Sequence, residues 1–324
     1  MKKISIITMS VIFLLCFINA SWAGDAFPTK RIDCYIPTTA GSDGDIMARK
    51  VLEGVSNNLG QPIVIINKPG AAGSIAYRTV YATKPDGYSI SLAFPTLFMC
   101  KMRGIMPQNH HDFTLIAQHG AFIPIVVAST KSKNNFESIQ EVVNYGKSNP
   151  EKINFALSIK GGSWWAAAMI FQDASGVKFK NIPQEGSGAV VVTQLAGGHA
   201  DIGVAGLASA LSQLAAGNLR ILATFGRERI QGKYNNVPTL IESGYDVTWD
   251  SPNFFIGPPG IPKQIVIKLT KAFEEEATKP EFVKFVQSLN ATPVYRNPDE
   301  LLKYLDKQEV VARKIMLNAG LLKK

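Results

Sequence analysis

Apolar and polar positions alternate along this chain in two rhythms. The strand-like run 32–36 stops at a small-residue loop, Thr38-Thr39-Ala40-Gly41-Ser42-Asp43-Gly44. Ala48, Leu52, Val55 and Leu59 then recur at helical spacing, which predicts one apolar helix face. The same order repeats. A strand over 63–67 leads through KPGAAGS to a helix over 75–83, and Pro85-Asp86-Gly87 turns the chain into a strand over 88–94. Strand-helix-strand repetition of this kind predicts an α/β fold built on doubly wound, mostly parallel sheets.

A second series follows. Apolar strands are predicted over 115–117 and 123–129, and an amphipathic helix over 136–147 ends at Asn149-Pro150. The strand 153–157 enters the loop Ser158-Ile159-Lys160-Gly161-Gly162-Ser163, and a helix begins at Trp164. Gln184-Glu185-Gly186-Ser187-Gly188 opens a further helix to Ala196, with strands expected over 201–205, 220–225 and 253–257. The tail reads as helices over 262–278, 281–289 and 298–319. Each half therefore offers a small-residue loop at the carboxyl end of a strand, where a helix N-terminus favours an anion. Two such series predict two lobes facing a cleft, tied by extended crossings near 123–129 and 247–256.

The N-terminus stands outside this pattern. Lys2 and Lys3 precede a largely apolar stretch, 4–18, and Ser21-Trp22-Ala23 supplies small residues before Gly24. Residues 1–23 read as a secretory signal peptide, which implies a periplasmic protein. Without Lys2 and Lys3 the chain keeps 32 basic against 25 acidic side chains, a net of +7. That suits an anionic small ligand. No long Lys/Arg cluster points to nucleic acid. Cys34 and Cys100 lie in apolar surroundings and are expected to be buried free thiols.

Chemistry-bearing clusters are few. His110-His111-Asp112 could suggest a metal, but neighbours in an extended loop point apart, so no metal or other cofactor is expected. There is no G-x-S-x-G elbow, no G-x-G-x-x-G and no phosphate-loop Gly-Lys-Ser/Thr ending. Trp164 and Trp165 point about 100° apart on a helix, so one can wall a ligand pocket while the other packs in a core. Lys160 is either a solvated charge or the counter-ion of a ligand carboxylate.

Several stretches together resemble the exported solute receptors of tripartite tricarboxylate transporters, the Bug family. They are Gly44-Asp45-Ile46-Met47-Ala48-Arg49, Leu59-Gly60-Gln61-Pro62 with VIINKPGAAGS, Lys84-Pro85-Asp86-Gly87-Tyr88, Gly186-Ser187-Gly188, the run 195–201 and the run 236–245. The resemblance is collinear from about Phe27 onward. It implies a two-lobed periplasmic binding protein fold (type II, Venus flytrap), with lobe 1 at 24–126 plus 249–324 and lobe 2 at 127–248. It also implies a non-enzymatic receptor that closes on a small organic acid and hands it to a membrane permease, and a monomer is expected. Thr39, Ala40, Gly41, Ser42 and Asp45 would contact the ligand from the first loop, joined by Phe94, Pro95 and Thr96. Ser163 and Ser187 would face them from the other lobe.

The chain departs from the family pattern inside the site. The family usually has two glycines where Gly41-Ser42 stand, a small residue at Asp43 and Thr at Gly44. Its usual His is Trp165, and a frequent Asp corresponds to Ala205 or Gly206. Ser42-x-x-Asp45 also fits a capping box, so Asp45 serves the helix start, the ligand, or both. Asp43 would repel an incoming carboxylate by about 1 kcal/mol at 4 Å in bulk water, and more where water is excluded. Either it points away, or Lys160 or a metal offsets it, or the ligand carries an amine. The expectation is an aromatic, amino-bearing or otherwise less anionic acid in preference to citrate. The alternatives are a secreted transferase or hydrolase with Asp45 as its acid/base, or a ligand sensor using the same site.

Overall fold

The computed structural model describes residues 27–322, so the leader reading lies outside the described residues. The first half runs β1 (Ile32–Ile36), α1 (Asp43–Leu59), β2 (Ile63–Asn67), α2 (Ser74–Tyr81), β3 (Ser89–Ala93), α3 (Thr96–Met102), β4 (Thr114–Phe122) and β5 (Pro124–Ser129). It continues through α4 (Ile139–Ser148), β6 (Asn154–Leu157), α5 (Ser163–Ser175), β7 (Lys180–Pro183), α6 (Gly188–Ala196), β8 (Ile202–Gly206), α7 (Leu207–Ala215) and β9 (Leu219–Thr224). The chain closes with β10 (Ser251–Gly257), α8 (Lys263–Ala277), α9 (Pro280–Ser288), β11 (Ala291–Thr292) and α10 (Pro298–Asn318).

These strands form two sheets, ordered β11-β4-β10-β3-β1-β2 and β7-β6-β8-β5-β9. The fold is the expected two-lobed α/β arrangement. Parallel pairing holds where helices connect the strands, in β3-β1-β2 and in β7-β6-β8. The sheets as wholes are mixed, because β10 and β5 run antiparallel to both their neighbours. These two strands follow the crossings between sheets, so they enter without a helical return. Ile123 alone separates β4 from β5, so the chain changes sheet there. The expected boundary at 126–127 falls inside β5.

Each sheet carries its own core. Ile32, Cys34 and Ile36 of β1 pack with Met47, Val51, Leu52 and Val55 of α1 and with Phe255, Phe273 and Phe282. Burying each large aliphatic side chain contributes about 1.5–3 kcal/mol. Val191, Leu195, Ile125 and Val127 belong to the second-sheet core. A third cluster spans both lobes. It joins Leu97 and Phe98 of α3 to Phe155, Trp165 and Phe171, and to Leu301, Leu305 and Met316 of α10. Helix α10 thus packs on α3 of one lobe and α5 of the other. Cys34 and Cys100 are both buried free thiols. Among the described residues, no helix is long and apolar enough to cross a membrane.

Candidate functional site

The loop after β1 is built by its own polar side chains. The Ser42 hydroxyl donates to Thr38 Oγ1 at 2.7 Å, and the Asp45 amide donates to Ser42 Oγ at 3.3 Å, capping α1. Gly41, at φ +77°, turns the chain so that its own amide reaches Asp45 Oδ2 at 2.9 Å. Arg49 grips the same carboxylate with two bonds of 2.9 and 3.0 Å, and Asn67 adds one of 2.9 Å. Burial alone would raise the Asp45 carboxyl. The bonds from Arg49, Asn67 and Gly41 outweigh it and hold the group below the ordinary carboxylate value.

Opposite this loop stand the loop after β6 and the start of α6. Between the two sides lies a cavity of about 400 Å³, a size suited to a small ligand. Thr38, Thr39, Ser42, Asp43, Phe94 and Thr96 line one side, with the Pro69–Gly73 loop. Ser158, Ile159, Gly162, Ser163, Trp164, Gly186 and Ser187 line the other, and Phe122 and Ser251 contribute from the crossing region. The N-terminal ends of α1, α3, α5 and α6 all meet this cavity. Such ends present free amides and a positive dipole end. A second cavity, about 720 Å³, lies where β11, α10 and the return crossing meet. Among the described residues, its lining includes no helix N-terminus of this kind.

Two hydroxyls single out the first cavity. Ser158 Oγ and Ser187 Oγ are shielded from solvent and have no hydrogen-bond partner among the described residues. Ser187 is the N-cap residue of α6, yet its side chain makes no cap bond. Buried polar atoms are normally partnered, so both are available to a bound molecule. The other hydroxyls are more committed. Thr96 Oγ1 pairs with the Tyr77 hydroxyl at 2.8 Å, and Ser163 Oγ accepts from the Trp249 indole at 3.1 Å. Among the described residues, no Lys or Arg lines the cavity.

Asp43 crosses the cleft. It is 3% exposed, and its carboxylate accepts from the Ser209 amide at 2.8 Å and from the Ser209 hydroxyl at 3.2 Å. Ser209 is the third residue of α7, whose N-cap, Gly206, has no side chain to offer. A carboxylate from the opposite lobe therefore does the capping. A Cβ at Gly206 would come within 2.4 Å of the Asp43 carboxyl carbon, so glycine makes the contact sterically possible. Burial pushes the Asp43 carboxyl above its ordinary value, and the Ser209 donors pull it back only in part. The Arg103 guanidinium adds a second crossing contact, to the Lys160 carbonyl.

Of the sequence-predicted residues, Thr39, Ser42, Asp43, Phe94, Thr96, Ser163 and Ser187 line one cavity together. Five do not. Ala40 and Gly41 are exposed and stand outside the lining, and Asp45 is buried among its four donors. Lys160 has an exposed side chain, because its loop is held by its backbone carbonyl. Trp165 is 4% exposed in the shared core, and its neighbour Trp164 walls the cavity in its place. Gly188 leaves room for that ring, since a Cβ there would lie 3.0 Å from the Trp164 indole. Sequence reasoning missed Thr38, Ser158, Phe122 and the Pro69–Gly73 loop. In that loop Ala71 and Ala72 adopt φ of 45° and 57°, a backbone form that alanine does not announce. The small-residue character of KPGAAGS was the one available signal.

Paired sheets, crossing strands between them and an interlobe cavity define a two-lobed solute-binding protein. The chain belongs to the tripartite tricarboxylate transporter family receptors, whose model matches residues 47–321. These are periplasmic solute receptors and not enzymes. It is 28% identical to Protein BugT of Bordetella pertussis over 288 residues, 87% of each chain. It is similar to the structure of the periplasmic binding protein BugD, with TM-score 0.82 and 25% identity over 92% of this chain and 100% of that one. An R. palustris protein solved with adipate shares the fold at TM-score 0.83 and 22% identity, covering 91% and 98% of the two chains.

Proposed function

We propose that this receptor captures a small organic acid in the 400 Å³ interlobe cavity and delivers it to a permease of the tripartite type. The observation that carries the reading is the pair of unpartnered hydroxyls, Ser158 and Ser187, in a cavity where four helix N-termini converge. A carboxylate there would take bonds from hydroxyls and backbone amides without a fixed cation. The lobes close around it, and the Asp43–Ser209 contact marks the closed, loaded form that a permease would read.

The ligand class follows from the walls. Phe94, Phe122 and Trp164 present apolar surface, whereas two acidic residues, Asp43 and Glu185, are among the lining. Each added negative charge on a ligand meets these carboxylates unaided by Lys or Arg. We infer an acid with one or two carboxylates and an apolar or aromatic body, in preference to citrate. The relative solved with adipate agrees with a dicarboxylate of this kind. Asp43 does not exclude a carboxylate, because Ser209 already holds it.

The test is calorimetric titration with phenylacetate, adipate and citrate, with mass spectrometry of any acid retained through gentle purification. Phenylacetate or adipate should bind at least tenfold more tightly than citrate. Micromolar or tighter citrate binding overturns the ligand class. Chemical conversion of any bound acid overturns the receptor reading itself.

A further inference from the structure

Away from the cleft, the turn before β4 and the helix α10 bring four metal-ligating side chains together. His110 and His111 lie in a tight 3₁₀ turn, His110–Asp112, closed by reciprocal Asn109 and Asp112 capping bonds. Adjacent histidines would point apart in an extended loop. Here the turn stacks their rings at 4.3 Å between centroids, tilted by 36°. Nε2 of His110 and Nε2 of His111 each lie 2.9 Å from the same atom, Asp306 Oδ1. Glu309, one turn further along α10, places Oε2 3.6 Å from His110 Nδ1. Ligand atoms of His110, His111 and Glu309 fall within 4.8 Å of one another.

Hydrogen bonding within the protein leaves this cluster incomplete. His110 is fully buried, and its Nδ1 has no hydrogen-bond partner among the described residues. The 3.6 Å separation from Glu309 is too long for a bond. Asp306 has no Lys or Arg within 4.0 Å among the described residues, so one carboxylate oxygen serves two imidazoles. Arg313 lies 3.6 Å from Glu309. The edge of Phe98 holds the His110 ring, at 5.6 Å between centroids. A tetrahedral zinc site spaces its ligand atoms roughly 3.3 Å apart, close to the contacts Asp306 already makes. His111 and Asp306 are about half exposed and free to swing onto an ion, while buried His110 supplies a fixed anchor.

We propose that His110, His111, Asp306 and Glu309 form a binding site for a divalent transition-metal ion of the zinc type. Two imidazoles and two carboxylates suit such an ion better than magnesium or calcium, which select oxygen ligands. The ion would take one position among Nε2 of each histidine and Asp306, with Glu309 either ligating or accepting the Nδ1 proton of His110. It would fasten α10, the helix that packs on both lobes, to the first lobe.

The experiment uses the chelator-treated mature protein without an affinity tag, titrated with zinc chloride at pH 7.5, with the melting midpoint recorded in parallel. One saturable equivalent should bind. H111A and D306N, at half-exposed positions, should each weaken binding at least tenfold. Zinc should raise the wild-type midpoint, with EDTA reversing the shift. No saturable binding, unchanged binding in both variants, or equal binding of magnesium chloride each overturns the proposal.

Discussion

The two sides of the cleft treat their polar groups differently. On the first-lobe side nearly every one is committed. Ser42 caps α1, Asp45 is held by Gly41, Arg49 and Asn67, and Asp43 is bonded to Ser209. On the second-lobe side Ser158 and Ser187 stand without partners among the described residues. Apart from Asp43, whose bond to Ser209 belongs to the closed form, the first side is a frame held by bonds within its own lobe. The other holds the chemistry that a ligand completes. A preorganised frame lowers the ordering cost of binding, and unpartnered hydroxyls supply selectivity, because a ligand lacking the matching groups leaves them buried and unpaired.

Four measurements test this contrast. The largest effect belongs to the tryptophan pair. Trp165→Ala should cost about 3–5 kcal/mol of stability in denaturant unfolding. Trp164→Ala should leave stability within about 1.5 kcal/mol and lower acid affinity at least tenfold. Exchanged outcomes would place the other ring in the cleft.

Next comes Gly206→Val. Its side chain would occupy the space of the Asp43 carboxylate, since a Cβ at that position would stand 2.4 Å from the carboxyl carbon. Affinity should fall about a hundredfold, equivalent to about 2.7 kcal/mol. Adding Asp43→Ala should recover part of that loss, and no recovery would detach the effect from the crossing contact. Smaller changes separate the hydroxyls. Ser158→Ala and Ser187→Ala should each cost about 0.5–1.5 kcal/mol of binding with little change in melting. Ser42→Ala should do the reverse, costing about 1 kcal/mol of stability through its lost cap.

The mildest test uses pH. Burial raises the Asp43 carboxyl in the closed form above its value in open, solvated surroundings. Closure therefore takes up a proton as pH falls through the closed-form value, and affinity should rise until the ordinary value near 3.9 is reached. Asp45 shifts the other way. Its stabilising contribution is full above the ordinary carboxylate value and is lost as pH falls through its lowered one. The difference between wild-type and Asp43→Asn binding curves from pH 7.5 to 4.5 isolates the first effect. Parallel curves would remove it.

What could be read from the sequence was whatever its signals kept local. β1, its loop and α1 follow from an apolar run, small residues and a helical stripe, all within one stretch. The helix α10 is announced by Asn297, Pro298 and Glu300, a complete capping box. By contrast α3 escaped, because TLFMCKM is short and mostly buried, leaving no polar face to reveal a helical period. Helix α7 escaped because its cap comes from Asp43, 166 residues away, while Gly206 offers nothing. The same separation hid the resolution of the Asp43 conflict. Its partner belongs to the other lobe and becomes a neighbour only in three dimensions. The choice between Trp164 and Trp165 needed knowledge of which helix face the core takes, which the 100° step alone does not supply.

The borrowed cap of α7 has a kinetic consequence. The Ser209 amide proton is sheltered by an acceptor that sits on the opposite lobe. Each opening of the cleft uncovers that proton, so its exchange with deuterium becomes a clock for the opening motion. With a saturating acid the clock should slow by the ratio of closed to open populations. One amide in an unlabelled receptor thus times the gesture by which cargo is held and released.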